Sequence, residues 1–207
     1  MKKITFLLFL FVFIASCSDS KKPANATANA NAKPDVKTGV APVADSEIAV
    51  IEMENPAYGT MKMELYSNIA PKAVERFKEL AREGFYNGST FHRVSDIVIQ
   101  GGDPNSKDAD PNNDGMGKSS KPNVPAEFSD VPFDKGIVGA ARSSDPNSAN
   151  CQFYITMKRY PGWDKNYTVF GKIIEGMNNA DVISGVPKNG EKPMDPVKMK
   201  SVTIQAK

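Results

Sequence analysis

The chain has 207 residues, of which 40% are apolar and 24% charged, and its net charge at neutral pH is +2. That balance fits one soluble globular domain, and near-neutrality excludes the clustered basic face that nucleic-acid binding requires. A single histidine and two cysteines exclude most zinc and triad chemistry, which draws on several His, Glu or Cys side chains, so no metal or cofactor is expected.

From the start of the chain, Lys2-Lys3 precedes an apolar run from Ile4 to Ile14. The run is too short to span a bilayer comfortably and reads as the core of a signal peptide over 1–16. It ends in Ile14-Ala-Ser-Cys17. Small residues before a cysteine resemble the bacterial lipobox. That resemblance implies a lipidated Cys17 as the mature N-terminus and a membrane partner through that anchor. It places the domain outside the cytoplasm, in the bacterial cell envelope, facing the periplasm or the cell surface. With Cys17 acylated, Cys151 has no partner for an intrachain disulfide. Residues 17–46 read as a flexible tether. Ala24 to Ala32 alternates alanine with Asn and Thr, prolines flank it, and no apolar period could bury a core. About 28 such residues span roughly 30 Å as a coil.

The folded domain is expected over 47–207. Ile48–Met53 and Thr60–Tyr66 read as strands around a turn at Asn55-Pro56 and Gly59. Pro71 opens a helix whose Val74, Phe77, Leu80 and Ala81 share one face, and Gly84 ends it. Thr90–Val94 reads as a strand with Phe91 and Arg93 on one face and Thr90, His92 and Val94 on the other. A second strand, Ile97–Gln100, follows a break at Ser95-Asp96. Residues 103–135 have little regular pattern, which in a compact domain marks a functional or disordered loop. Asp110-Pro-Asn-Asn-Asp-Gly115 matches half of a calcium loop, but Lys121 stands where the bidentate glutamate belongs, so a polar turn is the reading. Strands at Gly136–Ala141, Gln152–Thr156 and Thr168–Ile174, a helix at Met177–Ser184 and a last strand at Val197–Ile204 complete the chain. About eight short strands with two helices and no βαβ rhythm predict a mainly β fold: a closed eight-stranded antiparallel barrel capped by two helices.

Several separated motifs carry a family resemblance. They are Phe91-His-Arg-Val, Gln100-Gly-Gly-Asp, Pro125-Ala-Glu-Phe128, Ala140-Ala-Arg142, Asp145-Pro-Asn-Ser-Ala149, Gln152-Phe-Tyr-Ile155 and Trp163-Asp-Lys-Asn-Tyr-Thr-Val-Phe-Gly171. Together they resemble the cyclophilins, peptidyl-prolyl cis-trans isomerases built as an eight-stranded barrel with a helix over each end. The resemblance covers roughly Glu47 to Gln205. It implies proline-containing polypeptides as substrates, assistance to the folding of exported proteins, and no cofactor. It implies catalysis by Arg93 and Gln100. It also implies substrate contacts from Gln152, a proline pocket of Ile97, Val98, Tyr154, Trp163 and Tyr167, and a groove lined by Ala141 and Arg142. Ile97 falls where a phenylalanine commonly floors the pocket, and the segment from Arg93 to Gln100 is one residue shorter than in many members.

The residues alone leave other readings open. Arg93 also fits a surface arginine paired with a carboxylate, and Gln100 and Gln152 fit exposed polar strand positions. Tyr154 and Trp163 fit barrel core, and Phe153 reads as core. His92 reads as a buried, hydrogen-bonded strand histidine, and Cys151 as a small strand-edge residue. The alternative function is a cyclophilin-like module that binds proline-containing segments without turnover. A monomer is expected.

Overall fold

The computed structural model describes residues 34–207; the signal peptide, Cys17 and the first part of the tether lie outside them. Twelve strands and two α-helices follow in order. They are β1 (Val36–Lys37), β2 (Glu47–Met53), β3 (Thr60–Leu65), α1 (Pro71–Arg82), β4 (Arg93–Val94), β5 (Val98–Gly101), β6 (Phe128–Ser129) and β7 (Ile137–Ala140). Then come β8 (Phe153–Thr156), β9 (Val169–Glu175), α2 (Met177–Ser184), β10 (Lys188–Asn189), β11 (Lys192–Pro193) and β12 (Met199–Ala206).

Eight strands form one antiparallel sheet in the order β12-β2-β3-β9-β7-β8-β5-β4. It curls around a single apolar core that includes Ile51, Met61, Leu65, Phe77, Phe91, Phe153 and Ile155. The expected closed barrel is corrected in one respect: β4 and β12 do not ladder together. The gap is stitched by the chain just before β4. Thr90 bridges Lys198, Phe91 N–H donates to Val197 O at 2.9 Å, and Met199 N–H donates to Ser89 O at 2.8 Å. β4 is short because Ser95 turns the chain: its Oγ accepts from the N–H groups of Ile97 and Val98, each at 3.2 Å.

Helix α1 begins at Pro71, where the missing N–H costs nothing. Its N-cap, Ala70, offers no side-chain acceptor. Glu127 supplies one from about 55 residues further along the chain, accepting from Lys72 N–H at 3.2 Å and Ala73 N–H at 3.0 Å. A carboxylate at a helix N-terminus is also favoured by the helix dipole. Val74, Phe77, Leu80 and Ala81 are buried, as their spacing predicts, and α2 spans the expected residues.

The tether boundary at residue 46 is the larger correction. Residues 36–45 lie against the domain as a strap. β1 pairs in parallel with β6, Val36 opposite Phe128. Lys37 Nζ donates to Ile69 O at 2.7 Å and Asn68 O at 3.1 Å. Asp45 accepts from Ser67 Oγ at 2.7 Å and pairs with Lys78 at 2.6 Å. The segment lacks apolar periodicity because polar bonds, rather than a buried face, hold it.

Candidate active site

The site is built on one row of the sheet. Register places Arg93 opposite Gln100, Gln100 opposite Tyr154, and Tyr154 opposite Gly139. Directly opposed residues of an antiparallel sheet share a face, so the guanidinium, the amide and the phenol stand side by side. The flanking residues Val94, Ile99, Phe153 and Ile155 point into the core. The expected pairing of Phe91 with Arg93 on one face is overturned. Phe91 is fully buried and packs edge-on to Phe153, because residues 91–92 lie outside any ladder and the period of two does not hold there.

A hydrogen-bonded chain links the polar members. Gln152 Nε2 reaches Gly115 O and Gly117 O, both at 3.0 Å. Two carbonyls require a donor, so the Gln152 amide has one orientation, with Oε1 turned toward Gln100. Gln100 Nε2 donates to that oxygen at 3.0 Å, which turns Gln100 Oε1 toward Arg93 Nη1 at 3.4 Å. The other edge of the guanidinium is held by Glu191, which accepts from Nε at 2.7 Å and from Nη2 at 3.2 Å. Arg93 is therefore paired with a carboxylate and aligned with the two glutamines at once. Gln100 and Gln152 are half-buried and bonded to each other rather than exposed polar positions.

Beside this chain lies an aromatic cluster. Tyr154 is 5.1 Å from Trp163 and 6.4 Å from Tyr167, centroid to centroid, and stacks on Phe133 at 6.1 Å. The turn carrying Trp163 is stapled down: Phe133 N–H donates to Asp164 Oδ1 at 2.9 Å, as does Arg159 Nη1 at the same distance. Tyr154 is buried on the face of Gly139, and its hydroxyl has no partner among the described residues. Burial, aided by Tyr167 nearby, pushes that phenol far above its ordinary range, so it stays protonated.

Ala141 N–H donates to Gln152 O at 3.0 Å, which sets the next stretch of chain beside the glutamines. Arg142 lies over Tyr167, 4.3 Å from its centroid, and donates to Asn166 O at 2.9 Å. Val98 is buried on the Gln100 face of β5, and Ile97 sits half-buried in the turn before it. Neither is tied to the aromatic cluster by a hydrogen bond, and Ile97 offers no ring to it. A cavity of about 180 Å³ opens past Gln152, bordered by Gln100, Met116, Arg142 and Asn150.

Two groups outside the row are settled by burial. Cys151 is pushed up to about 11 by desolvation, which makes it a thiol rather than a nucleophile. His92 is buried as expected, but among the described residues neither ring nitrogen has a hydrogen-bond partner, which corrects the expected bonding. Desolvation holds its pKa below 6.5 against the pull of Asp103 and Asp114, so the imidazole is neutral. Asp110 forms a polar turn, accepting from Asn112 N–H at 3.0 Å.

Three members of the site were not anticipated from sequence. Phe133, fully buried under the ring cluster, lies in the stretch without pattern. Gly139 is required by the ring above it: a Cβ there would stand 2.4 Å from Tyr154 Cζ. Glu191 follows Asn189-Gly190, a dipeptide that signals a tight hairpin and could have located it.

A curled antiparallel sheet thus sets a held guanidinium and two linked amides beside an apolar ring cluster. Residues 49–204 match the family model described as cyclophilin type peptidyl-prolyl cis-trans isomerase/CLD. A Brucella suis protein described as a probable peptidyl-prolyl cis-trans isomerase is 42% identical over 154 residues, covering 72% of this chain and 79% of that one. The human peptidyl-prolyl cis-trans isomerase-like 3 is 32% identical over 157 residues, covering 72% and 91%. Among solved structures, a Cryptosporidium parvum cyclophilin type isomerase, crystallised in the presence of the dipeptide Ala-Pro, aligns with a TM-score of 0.69 at 29% identity. That alignment covers 77% of this chain and 99% of that one. The chain belongs to the cyclophilin family and is a peptidyl-prolyl cis-trans isomerase acting on proline-containing polypeptides.

Proposed function

We propose that Arg93 is the catalytic residue, that Gln100 and Gln152 position it and the substrate, and that Tyr154, Trp163 and Tyr167 grip the proline ring with Val98 and Ile97 at the margin. Ala141 and Arg142 border the groove for the residue before the proline. The reaction dictates these roles. Rotation about a peptide bond costs about 18–20 kcal/mol because resonance stiffens C–N, and X–Pro isomers exchange over tens to hundreds of seconds. No bond forms or breaks, so the catalyst must favour the twisted state, in which the prolyl nitrogen regains its lone pair as an acceptor. Arginine suits this because it stays protonated and offers several N–H donors. The observation that carries the reading is the chain Arg93–Gln100–Gln152, anchored at one end on Gly115 O and Gly117 O and running alongside the ring cluster. Replacing Arg93 by alanine tests it: isomerisation of a short X–Pro peptide collapses while the peptide still binds. Binding without turnover in the wild type would instead favour the non-catalytic module.

The second part of the reading is location. Residues 1–16 act as a signal peptide, Cys17 is lipidated, and the enzyme works as a monomer on exported proteins from the surface of a bacterial envelope membrane. The support is Lys2-Lys3, the apolar run to Ile14, and Ala15-Ser16 before Cys17. Stable anchoring by acyl chains follows from roughly 0.8 kcal/mol per buried methylene. Cys17→Ala moves the protein from the membrane fraction to the soluble fraction; retention of the variant in membranes refutes the anchor.

A further inference from the structure

Glu191 occupies the second place of a two-residue turn between β10 and β11, after Gly190 at φ +62°. Its own carbonyl accepts from Val94 N–H at 2.6 Å, one residue past Arg93, so its backbone is clamped to β4 where its side chain acts. The hairpin is tied down on both flanks. Lys192 bonds to Pro111 O, and Lys188 Nζ donates to Ser184 O at 2.9 Å. From this fixed base the carboxylate forks onto Nε and Nη2 of Arg93. Gln100 takes one Nη1 hydrogen from the other side. Of five N–H donors, three are then committed. One hydrogen each on Nη1 and Nη2 remains for a substrate.

We infer that Glu191 is a positioning residue for isomerisation: it holds the Arg93 guanidinium in one orientation, with its uncommitted N–H groups available to the substrate. This rests on the catalytic role proposed for Arg93. An arginine side chain free in solution samples many rotamers, and a donor contributes most when its geometry is set before the reaction begins. The two side chains are 43% and 49% exposed. Such a pair does little for stability, so its effect falls on rate and responds to salt.

The test is isomerisation of an X–Pro peptide by the full chain and by Glu191→Ala, Glu191→Gln and Arg93→Ala, at low salt and in 1 M NaCl. Glu191→Ala is expected to lose roughly 10-fold in kcat with KM nearly unchanged, less than the 10²-fold that a misplaced catalytic group can cost. Glu191→Gln, with one acceptor in place of two, falls between. Wild-type kcat declines in 1 M NaCl, where a half-exposed ion pair is weakened by competing ions, and Glu191→Ala responds less. In nitrogen-15 spectra the Arg93 Nε–H signal, slow to exchange in the wild type, is lost in Glu191→Ala. Wild-type kcat in Glu191→Ala, or a rise, overturns the inference while Arg93→Ala remains inactive. Full activity in Arg93→Ala instead overturns the reading of the site, and the inference with it.

Discussion

Gly139→Ala probes the packing that shapes the proposed proline pocket. An ideal Cβ at Gly139 would lie 2.4 Å from Tyr154 Cζ, 2.5 Å from its hydroxyl and 2.7 Å from Cε2. All three distances are below any real carbon contact, so the ring must move. It cannot tilt freely, because Phe133 stacks on it and Trp163 and Tyr167 meet it edge-on. Overpacking of this kind costs about 1–3 kcal/mol. At about 2–4 °C per kcal/mol for a domain of this size, melting falls by roughly 2–12 °C. Trp163 is the only tryptophan in the chain, so its fluorescence reports the cluster directly and shifts in the variant. The double-mutant cycle with Tyr154→Leu isolates the cause: the leucine costs less in the Gly139→Ala background than in the wild type, with a coupling of about 1 kcal/mol or more. Unchanged melting together with unchanged Trp163 emission would refute the packing account.

Three further outcomes follow from single features. Tyr154→Phe removes a buried hydroxyl that has no partner among the described residues; stability is unchanged or rises by up to about 1 kcal/mol, whereas a clear fall would reveal a bond to that hydroxyl. A chain beginning at Glu47 loses the strap bonds of Lys37 and Asp45. At about 0.5–1.5 kcal/mol per bond it melts roughly 3–18 °C lower, and equal stability would show the strap to be idle. His92 has its pKa lowered by burial, so the unfolded chain takes up a proton that the folded one resists. Stability is full above pH 6.5 and declines as pH falls below it. Asp114, raised by its own burial from 3.8, acts in the opposite sense but over a lower pH range. Urea midpoints at pH 7.5 and 5.5 should therefore differ in the wild type and less in His92→Gln; an equal difference in both would refute the assignment.

Much of the fold can be read from residue pattern alone. β2 and β3 alternate along most of their length, and α1 has both its proline start and a continuous apolar face. The strap could not be read, because β1 and β6 are two residues each, about ninety positions apart, and held by polar contacts that leave no period. The missing ladder between β4 and β12 was also hidden, since Ser95 ends β4 after two residues and only bridges remain to close the gap. At the site, Arg93, Gln100, Gln152 and Tyr154 were legible because each lies in a motif, and the register then brings them into one row or next to it. Phe133 was not legible, and for Glu191 only the hairpin at Asn189-Gly190 was, not its reach to Arg93. The first lies in a proline-rich stretch, and the second reaches the site only because a hairpin folds back on β4.

Arg93→Ala, assayed for both turnover and affinity, tests the central claim most directly. Exchange between the cis and trans signals of an X–Pro peptide gives the rate on the enzyme, and titration of the same peptide gives its dissociation constant. The account predicts that Arg93→Ala slows exchange by about 10²–10³-fold, the usual cost of deleting one preorganised donor, with affinity changed less than severalfold because the rings of Tyr154, Trp163 and Tyr167 remain. Wild-type exchange rates in Arg93→Ala would contradict it.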